Sequence, residues 1–389
     1  MGLVQSQSNP YQNVADPTYG VTTYVYDILG RLCMQNNPDN SLSQPATCTA
    51  KGSSALQFSY IVNGGYKTDE NGNTWGYSDD FLGRLASVAE PNGATTQYTH
   101  DILGNLSSSS QPGISIRSFG YDGLSRLVTA TNPESGTACY GIWSGSNCIG
   151  GYDGNGNLQA KTDARGVAAT YTYDAWNRLT SKSYSDGVTP GSCYQYDASG
   201  VANGNGRLAN SWTQPATTTC SGSQQNGFAP AAGQYLTLRS ITAYDSMGRL
   251  ANEQQVTPAS QVTGKIYAPA YTYDLAGNLL TSTDGTTPSP TTPGAFLTFT
   301  NTFDGAGRLS DVTSNWSDAT THPGELFAAQ AGTTTPCSNS ISTPYTAFGA
   351  LMNATFGIGP AANVYTLNRS FNNRLRTTCE VDTGSGVVP

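Results

Sequence analysis

Three kinds of side chain in this sequence could do chemistry: paired carboxylates, histidines and cysteines. The carboxylate pairs are Asp79-Asp80 and Asp69-Glu70, and two carboxyl groups can together hydrolyse a glycosidic bond. Adjacent residues of a strand point to opposite faces, so neither pair predicts a shared catalytic site. The histidines, His100 and His322, lie in no nucleophile motif. The sequence therefore predicts that the protein has no catalytic residue and is not an enzyme.

Two acidic segments superficially match a calcium-binding loop, Asp153–Asn157 and Asp69–Asn73. Each coincides with a predicted turn and lacks the glutamate that closes such a loop. The cysteines do not have the spacing of zinc ligands, because the sequence contains no Cys-x-x-Cys pair. We therefore predict neither a metal site nor a cofactor.

The eight cysteines are candidates for disulfide bonds. The first three neighbouring pairs enclose or adjoin places where the spacing of an internal repeat is stretched. Other pairings are open, since spacing alone does not fix connectivity. Disulfide bonds would indicate an oxidising compartment. Paired in chain order, the candidates are Cys33 with Cys48, Cys139 with Cys148, Cys193 with Cys220, and Cys337 with Cys379.

Four aromatic residues outside that repeat are candidates for a sugar-binding surface, because flat rings pack on pyranose faces. They are Tyr66, Tyr140, Trp143 and Tyr267. Glycans are accordingly one predicted class of partner.

The elements that must position these residues come from a seven-residue repeat, Tyr-Asp-x-x-Gly-Arg-Leu, which we call the YD heptad. It occurs eleven times, and its tightest copies start 21 residues apart, which is the length of one β-hairpin with its return turn. The first copy is Tyr26–Leu32, and one copy starting at Tyr196 is split and resumes at Gly206. The others start at Asp79, His100, Tyr121, Tyr152, Tyr173, Tyr244, Tyr273, Phe303 and Tyr345.

Each heptad position has a predicted mechanical role. The Asp accepts backbone N–H groups of the turn that it opens. Position five, Gly in most copies, needs a positive φ angle, and the closing Leu is buried. Position six holds seven of the thirteen arginines, which we expect to stack on rings and pair with nearby acceptors rather than form a binding patch.

The stretch from Ala94 to Leu106 shows the predicted hairpin. Ala94–His100 is a strand, Asp101–Gly104 a turn, and Asn105-Leu106 opens the returning strand. The sequence therefore predicts an all-β repeat array of antiparallel β-hairpins forming a long coiled β-sheet strip, as a spiral or partial shell. Return turns are predicted at Asp69–Gly72, Glu90–Gly93, Asp163–Gly166 and Asp284-Gly285.

The amino-acid composition limits the classes of partner that the protein is expected to bind. Charged residues are 11% of the chain, the net charge is -8, and the array contains no run of Lys and Arg, so a nucleic-acid partner is not expected. No apolar window is long enough to span a membrane. The polarity comes from Thr, Ser, Asn, Gln and Gly, which suits an extracellular or cell-surface protein.

The heptad array resembles the YD-repeat, or RHS-repeat, family of bacterial Rhs proteins, insecticidal Tc toxin shells and teneurins. The resemblance runs from about Asp16 to at least Leu351. It implies a sheet strip that coils into a spiral and, in full-length members, closes around a toxic C-terminal domain. We find no Asp-Pro-x-Gly-Leu segment after the last heptad and no toxin domain, so the resemblance does not imply self-cleavage or toxin delivery here.

The predicted organisation is an N-terminal segment at 1–15, the repeat array with cysteine-bearing inserts at 16–351, and a degenerate terminal repeat and tail at 352–389. We expect a non-catalytic secreted or cell-surface structural protein, an RHS-repeat scaffold or shell wall. The alternatives are a carbohydrate-binding adhesin module and a fibre subunit in which copies of the chain pair by β-strands. An enclosed polypeptide cargo is a further predicted partner if the chain is a fragment of a larger Rhs protein.

Overall fold

The computed structural model describes residues 2–38, 47–48, 55–220, 235–288, 296–316, 323–330, 337, 343–358 and 364–384. His322 lies outside the described residues. Within them the chain forms 29 β-strands and one short helix, so the all-β prediction is confirmed.

The strands follow one another in chain order, separated by short turns. The first fifteen are β1 (Ser6–Ser8), β2 (Val21–Tyr26), β3 (Leu32–Asn36), β4 (Ala55–Ile61), β5 (Gly64–Thr68), β6 (Thr74–Asp79), β7 (Leu85–Ala89), β8 (Thr95–His100), β9 (Leu106–Ser110), β10 (Arg117–Tyr121), β11 (Leu127–Asn132), β12 (Gly136–Cys139), β13 (Gly141–Ser144), β14 (Asn147–Gly150) and β15 (Ala160–Thr162). The others are β16 (Ala168–Tyr173), β17 (Leu179–Tyr184), β18 (Gly191–Tyr196), β19 (Leu208–Gln214), β20 (Thr237–Tyr244), β21 (Leu250–Val256), β22 (Tyr271–Tyr273), β23 (Leu279–Pro288), β24 (Phe296–Phe303), β25 (Leu309–Ser314), β26 (Glu325–Ala329), β27 (Asn353–Ile358), β28 (Tyr365–Phe371) and β29 (Thr377–Gly384).

The sheets are antiparallel meanders. The longest has 19 strands and does not close on itself, in agreement with the predicted hairpin strip. Strands adjacent in the chain pair with each other, as β6 does with β7, β7 with β8 and β8 with β9. Strands β22 to β29 form an eight-stranded sheet, and β13 and β14 form a separate hairpin.

Nine of the eleven heptads build a hairpin with a bulge beside its turn. In the first copy the register shifts between Val25 and Tyr26, so that Tyr26 lies opposite Leu32. The same shift precedes His100, which lies opposite Leu106. A four-residue turn whose last residue has a positive φ, such as Gly30, produces this arrangement and increases the local twist of the strands.

The return turns are confirmed at three of four predicted places. The N–H of Gly72, Gly93 and Gly166 closes each turn on the carbonyl three residues earlier. The prediction at Asp284-Gly285 is wrong, because β23 continues to Pro288. Gly285 has φ 74° there, and a Cβ on it would lie 2.2 Å from the backbone of Ala268. This glycine therefore permits a close backbone approach inside an irregular strand instead of a turn.

The chain divides into two compact units, one containing the described residues of Met1–Arg117, Phe327–Ile358 and Asn363–Pro389, the other those of Ser118–Leu326. The predicted boundaries at 15 and 351 are not tested by this division and stay a prediction. In the first unit the buried interior includes Met34, Met352 and Ala354. In the second it includes Trp212 and a series of alanines and amides.

The closing Leu of the heptad is not the core residue that the sequence predicted. Leu32 and Leu179 are half-buried, and Leu85 is 37% exposed. This Leu is the first residue of its strand, beside a solvent-exposed turn, so neighbours cover only part of the side chain. Small and amide side chains further along the strands take the buried positions, among them Ala130, Ala169, Ala209, Gln195, Asn210 and Asn353.

The single described helix, α1 (Pro258–Thr263), is short and capped at both ends. Thr257 and Ser260 form a reciprocal capping box, and Pro258 begins the helix. Gly264 ends it with φ 69°. In the part of the chain that the structure describes, no helix is long and apolar enough to cross a membrane.

Candidate functional site

The recurrent turn is the most regular feature of the described chain, and its Asp organises it. In the first heptad the N–H groups of Leu29 and Arg31 each donate to Asp27 Oδ1 at 2.9 Å. Arg31 Nε donates to Asp27 Oδ2 at 2.8 Å. The same three bonds recur at Asp80, Asp122, Asp174, Asp245 and Asp304. The predicted role of the Asp is confirmed.

Position five has a positive φ in every heptad, as predicted. Gly30 has φ 77°, and the two substitutes, Ser125 and Asn177, have φ 60° and 62°. A further copy ends the array at Phe371–Thr377, where Asn372 takes the Asp position and Leu375 has φ 58°. The sequence predicted a degenerate terminal repeat within 352–389. The turn is in fact complete, but Leu375 occupies the glycine position.

The heptad arginines are used within the repeat, which confirms the interpretation made from the sequence. Six of the seven pair with the Asp of their own heptad, as Arg84 does with Asp80 at 2.6 Å. The exception is Arg207 in the split heptad, which donates to the carbonyl of Asn203 at 2.8 Å. In that copy Asp197 pairs instead with Arg178 of the preceding heptad, at 2.7 Å.

The same arginines also reach the next repeat. Arg126 lies 4.7 Å from the ring centroid of Tyr152, and Arg249 lies 4.7 Å from that of Tyr273. Arg249 also donates to the carbonyl of Asp274 at 2.6 Å. The guanidinium groups of Arg126 and Arg249 therefore join their own turns to the first residues of the following heptad.

The tyrosine hydroxyls complete these junctions, a contact that the sequence analysis missed. Tyr152 donates to the carbonyl of Leu127 at 2.9 Å, and Tyr244 donates to that of Leu208 at 2.7 Å. In both cases the acceptor is the last residue of the preceding heptad. A backbone acceptor has no sequence signal of its own, although the fixed spacing of Tyr and Leu could have indicated it.

Four disulfide bonds are present, in agreement with the prediction of disulfides, and no described cysteine is free. Each joins the neighbouring cysteines of the chain. The loops that they close span between 9 and 42 residues. The pairs are Cys33–Cys48, Cys139–Cys148, Cys193–Cys220 and Cys337–Cys379.

The four aromatic residues predicted as a ligand surface are divided between the two units. Tyr66, in β5, is 48% exposed and belongs to the first unit. In the second unit, Tyr140 lies under the ammonium of Lys161 at 4.6 Å, Trp143 lies in the β13–β14 hairpin, and Tyr267 pairs with Gln255. A sugar-binding role for these residues stays a prediction.

The turn carboxylates are held ionised by their bonds. The pKa of Asp80 is lowered to about 2, chiefly by the hydrogen bonds from the Arg84 side chain and backbone. Where Asn replaces Arg, the Asn105 side chain is the main cause of the lowered pKa of Asp101. Carboxylates that are already saturated with donors in this way are poor candidates for acid–base catalysis.

One acidic pair does not belong to a turn. Burial, together with the neighbouring Asp311, raises the pKa of Glu325. The two residues lie on β25 and β26, and their separation in sequence hides the contact from sequence analysis. Within the described ranges no group of three His, Cys, Asp or Glu side chains could hold a metal ion.

The antiparallel hairpins and their repeated Asp-led turns define a β-hairpin repeat protein. Residues 82–113 and 152–189 match the RHS Repeat family, so the chain carries RHS repeats, and the resemblance predicted from the sequence is confirmed. No curated protein matches the chain.

One solved structure shows the same fold, and a second aligns with most of this chain at a lower score. A crystal structure of TcdB2-TccC3 matches 93% of this chain with a TM-score of 0.61 at 15% sequence identity. A Tc holotoxin pore of Photorhabdus luminescens aligns over 94% of this chain at 14% identity, with a TM-score of 0.37. This chain spans 17% of the length of the first of these structures and 21% of the second.

Proposed function

We propose that this chain is a non-catalytic structural scaffold, a segment of the wall of an extracellular RHS-repeat assembly. The observation that carries the proposal is the repeated junction. Asp, Arg and Tyr, the residues with the most chemical capacity in the heptad, bond to one another and to the backbone between repeats. Side chains used in this way hold successive hairpins in register and are not free to bind a substrate.

The disulfide bonds support an extracellular location, because such bonds persist in oxidising compartments. The fold shared with TcdB2-TccC3, together with the RHS repeats, supports a structural scaffold built from a β-sheet strip. The partners that we propose are an enclosed polypeptide cargo or further copies of the chain.

Size-exclusion chromatography with light scattering, followed by electron microscopy of the purified oxidised chain, tests the proposal. We expect particles with a wall one sheet thick around a solvent-filled interior. Filaments would favour the fibre subunit, in which unpaired edge strands join copies end to end. A solid globular monomer would contradict the scaffold.

A matched variant shows whether the junctions hold such a wall together. Replacing Tyr152 and Tyr244 by Phe removes two hydroxyls that bond to the preceding heptad. Replacing Tyr66 and Tyr140 by Phe removes the same number of hydroxyls outside the heptads. Only the first double variant should lose regular particles. If both double variants form the same particles, the tyrosine junctions do not hold the wall together.

A further inference from the structure

In the first unit, four successive hairpins turn at the same end of their strands. Strands β2 to β9 pair antiparallel in chain order, so alternate turns lie along one side of the strip. Neighbouring turns on that side are two strands apart, about 10 Å at the usual strand spacing, and the four extend over about 30 Å. We call this series the turn row, and it consists of residues 27–30, 61–64, 80–83 and 101–104.

Each turn of the row exposes two apolar side chains to solvent. In its three heptad turns the residue after the Asp is at least 97% exposed. In the remaining turn Val62 is 100% exposed. The eight side chains are those of Ile28, Leu29, Ile61, Val62, Phe81, Leu82, Ile102 and Leu103.

The heptad turn itself does not require apolar residues at these positions. The turn at Asp153 has Gly154 and Asn155 there, and the Asn155 N–H donates to Asp153 Oδ1 at 2.9 Å. This is the bond that the Leu29 N–H makes to Asp27, also at 2.9 Å. Since a polar residue builds the same turn, the fold does not account for the apolar side chains of the row.

The row is as large as a specific protein interface. At about 60–120 Å² of apolar surface for each side chain, eight side chains present roughly 500–1,000 Å². A specific interface buries about 800 Å² on each partner, whereas monomeric proteins rarely leave apolar patches above roughly a few hundred Å² uncovered. The row therefore fits a partner surface of its own size.

The other side of the strip is unsuited to cover the row. Its return turns at 69–72 and 90–93 carry Asp69, Glu70 and Glu90, and burying carboxylates against apolar side chains is costly. The row of a second copy is apolar along its whole length and equal in area. Two such rows cover each other when the copies are related by a two-fold axis.

The charges beside the row favour one order of the turns across this contact. In the turn at Asp101 the carboxylate bonds to the neutral Asn105 at 2.9 Å, which leaves a surplus negative charge. In antiparallel order that turn faces the turn of Arg31, whose side chain is 45% exposed. In parallel order the Asp101 carboxylates of the two copies would face each other, so antiparallel order is favoured.

We infer that the turn row binds the turn row of a second copy of this chain, in antiparallel order about a two-fold axis. The turn at Ile28 of each copy packs on the turn at Ile102 of the other, and the turns at Val62 and Phe81 pack between them. The inference rests on the proposed scaffold, because it names the surface through which copies of that scaffold join.

Sedimentation velocity of the oxidised chain from about 1 to about 100 μM tests the inference, and we expect a dimer that dissociates on dilution. Ile28→Glu and Ile102→Lys should each weaken the dimer at least about tenfold, because each places a charge against apolar side chains. Ile114→Glu is the matched control, since Ile114 is apolar, 57% exposed, and lies between β9 and β10 on the other side of the strip. Its dimer should be as stable as that of the unmodified chain.

Mixing the two weakened variants tests the order of the turns. In antiparallel order the new carboxylate of one variant faces the new ammonium of the other, so the mixture should dimerise where neither variant does alone. This recovery also shows that both variants are folded. If the mixture does not recover, or if either variant alone dimerises like the unmodified chain, the inference is overturned.

A chain that stays monomeric at about 100 μM also overturns the inference. A monomer that floats with neutral phosphatidylcholine vesicles would assign the row to a membrane surface instead. Neither result decides the fate of the scaffold, because its wall is scored separately by electron microscopy.

Discussion

The junction between the Tyr244 and Tyr273 heptads is held by a guanidinium, whereas the next junction, between the Tyr273 and Phe303 heptads, is held by an amide. In the first, Arg249 lies over the Tyr273 ring and donates to the carbonyl of Asp274. In the second, position six is Asn278, which bonds to Asp274 within its own turn at 2.8 Å. Asn301 supplies the link, donating to the carbonyl of Leu279 at 2.9 Å.

Different donors thus link successive hairpins, and the Leu carbonyl of the preceding heptad accepts from a tyrosine hydroxyl at two junctions and from the Asn301 amide at this one. Phe303 has no hydroxyl to replace the one that Tyr244 or Tyr152 provides. Asn301, two residues earlier on the same strand face, takes over that bond. The Asp-led turn is thus constant, while the link between hairpins can change its chemistry.

The largest expected effect comes from the glycine of each turn. Gly277 has φ 97° with open space around it, so Gly277→Ala should lower the free energy of unfolding by about 1–2 kcal/mol through strain alone. At Gly248, φ is 82° and a Cβ would lie 2.0 Å from Arg207 Nη2. Gly248→Ala should cost about 1 kcal/mol more, because it displaces the guanidinium from Tyr244. Urea denaturation measures both, and equal losses would contradict the comparison.

The tyrosine hydroxyl is next in size. Tyr244→Phe removes the bond to the Leu208 carbonyl and should lower the free energy of unfolding by about 1 kcal/mol. The reverse change, Phe303→Tyr, should alter it by less than about 0.5 kcal/mol, since Asn301 already donates to Leu279. Thermal unfolding followed by circular dichroism compares the two variants. A clear gain in stability in Phe303→Tyr would mean that the Asn301 amide is a poor substitute for a tyrosine hydroxyl.

Exchanging the residues at position six should have a smaller effect. Arg249→Asn keeps a donor for Asp245 but loses the contact with Tyr273, and we expect a loss of about 0.5–1 kcal/mol. Asn278→Arg is the matched control, because a guanidinium there faces Phe303 and Asp304. The midpoints of urea denaturation, compared at constant m-value, give the difference in the free energy of unfolding between the two variants. The idea fails if Arg249→Asn is neutral.

The smallest effect is electrostatic. The pKa values of Asp245 and Asp274 are both lowered, the first chiefly by the Arg249 backbone N–H and the second chiefly by the Asn278 side chain. Both carboxylates therefore stabilise the fold above the unfolded pKa of about 4, and this stability is lost as the pH falls through the folded pKa. Of the two carboxylates, that of Asp245 bonds to a guanidinium and that of Asp274 to a neutral amide.

Salt should separate these two carboxylates. Raising the ionic strength to about 1 M shortens the screening length to about 3 Å, which should raise the pKa of Asp245 more than that of Asp274. Carboxyl-carbon NMR titrations at low and high salt measure both values. In Arg249→Asn the salt dependence of the Asp245 pKa should disappear. If it persists, the Arg249 guanidinium is not its cause.

The sequence predicted the hairpins, the Asp-led turns and the glycine position because these depend on residues close together in the chain. It placed the heptad Leu in the core wrongly, because burial depends on which residues of neighbouring strands cover it. It missed the link from Tyr to the Leu carbonyl, which is a backbone group.

The pairing of six heptad arginines with the Asp of their own heptad also bears on how such a chain can lengthen. A duplicated hairpin with Arg adds one carboxylate and one guanidinium, and so carries its own counter-charge. A duplicate with Asn, like the one at Asp274, adds one negative charge. The residue at position six therefore decides whether a duplicated hairpin changes the net charge. An array can lengthen by duplication while its net charge is set independently of its length.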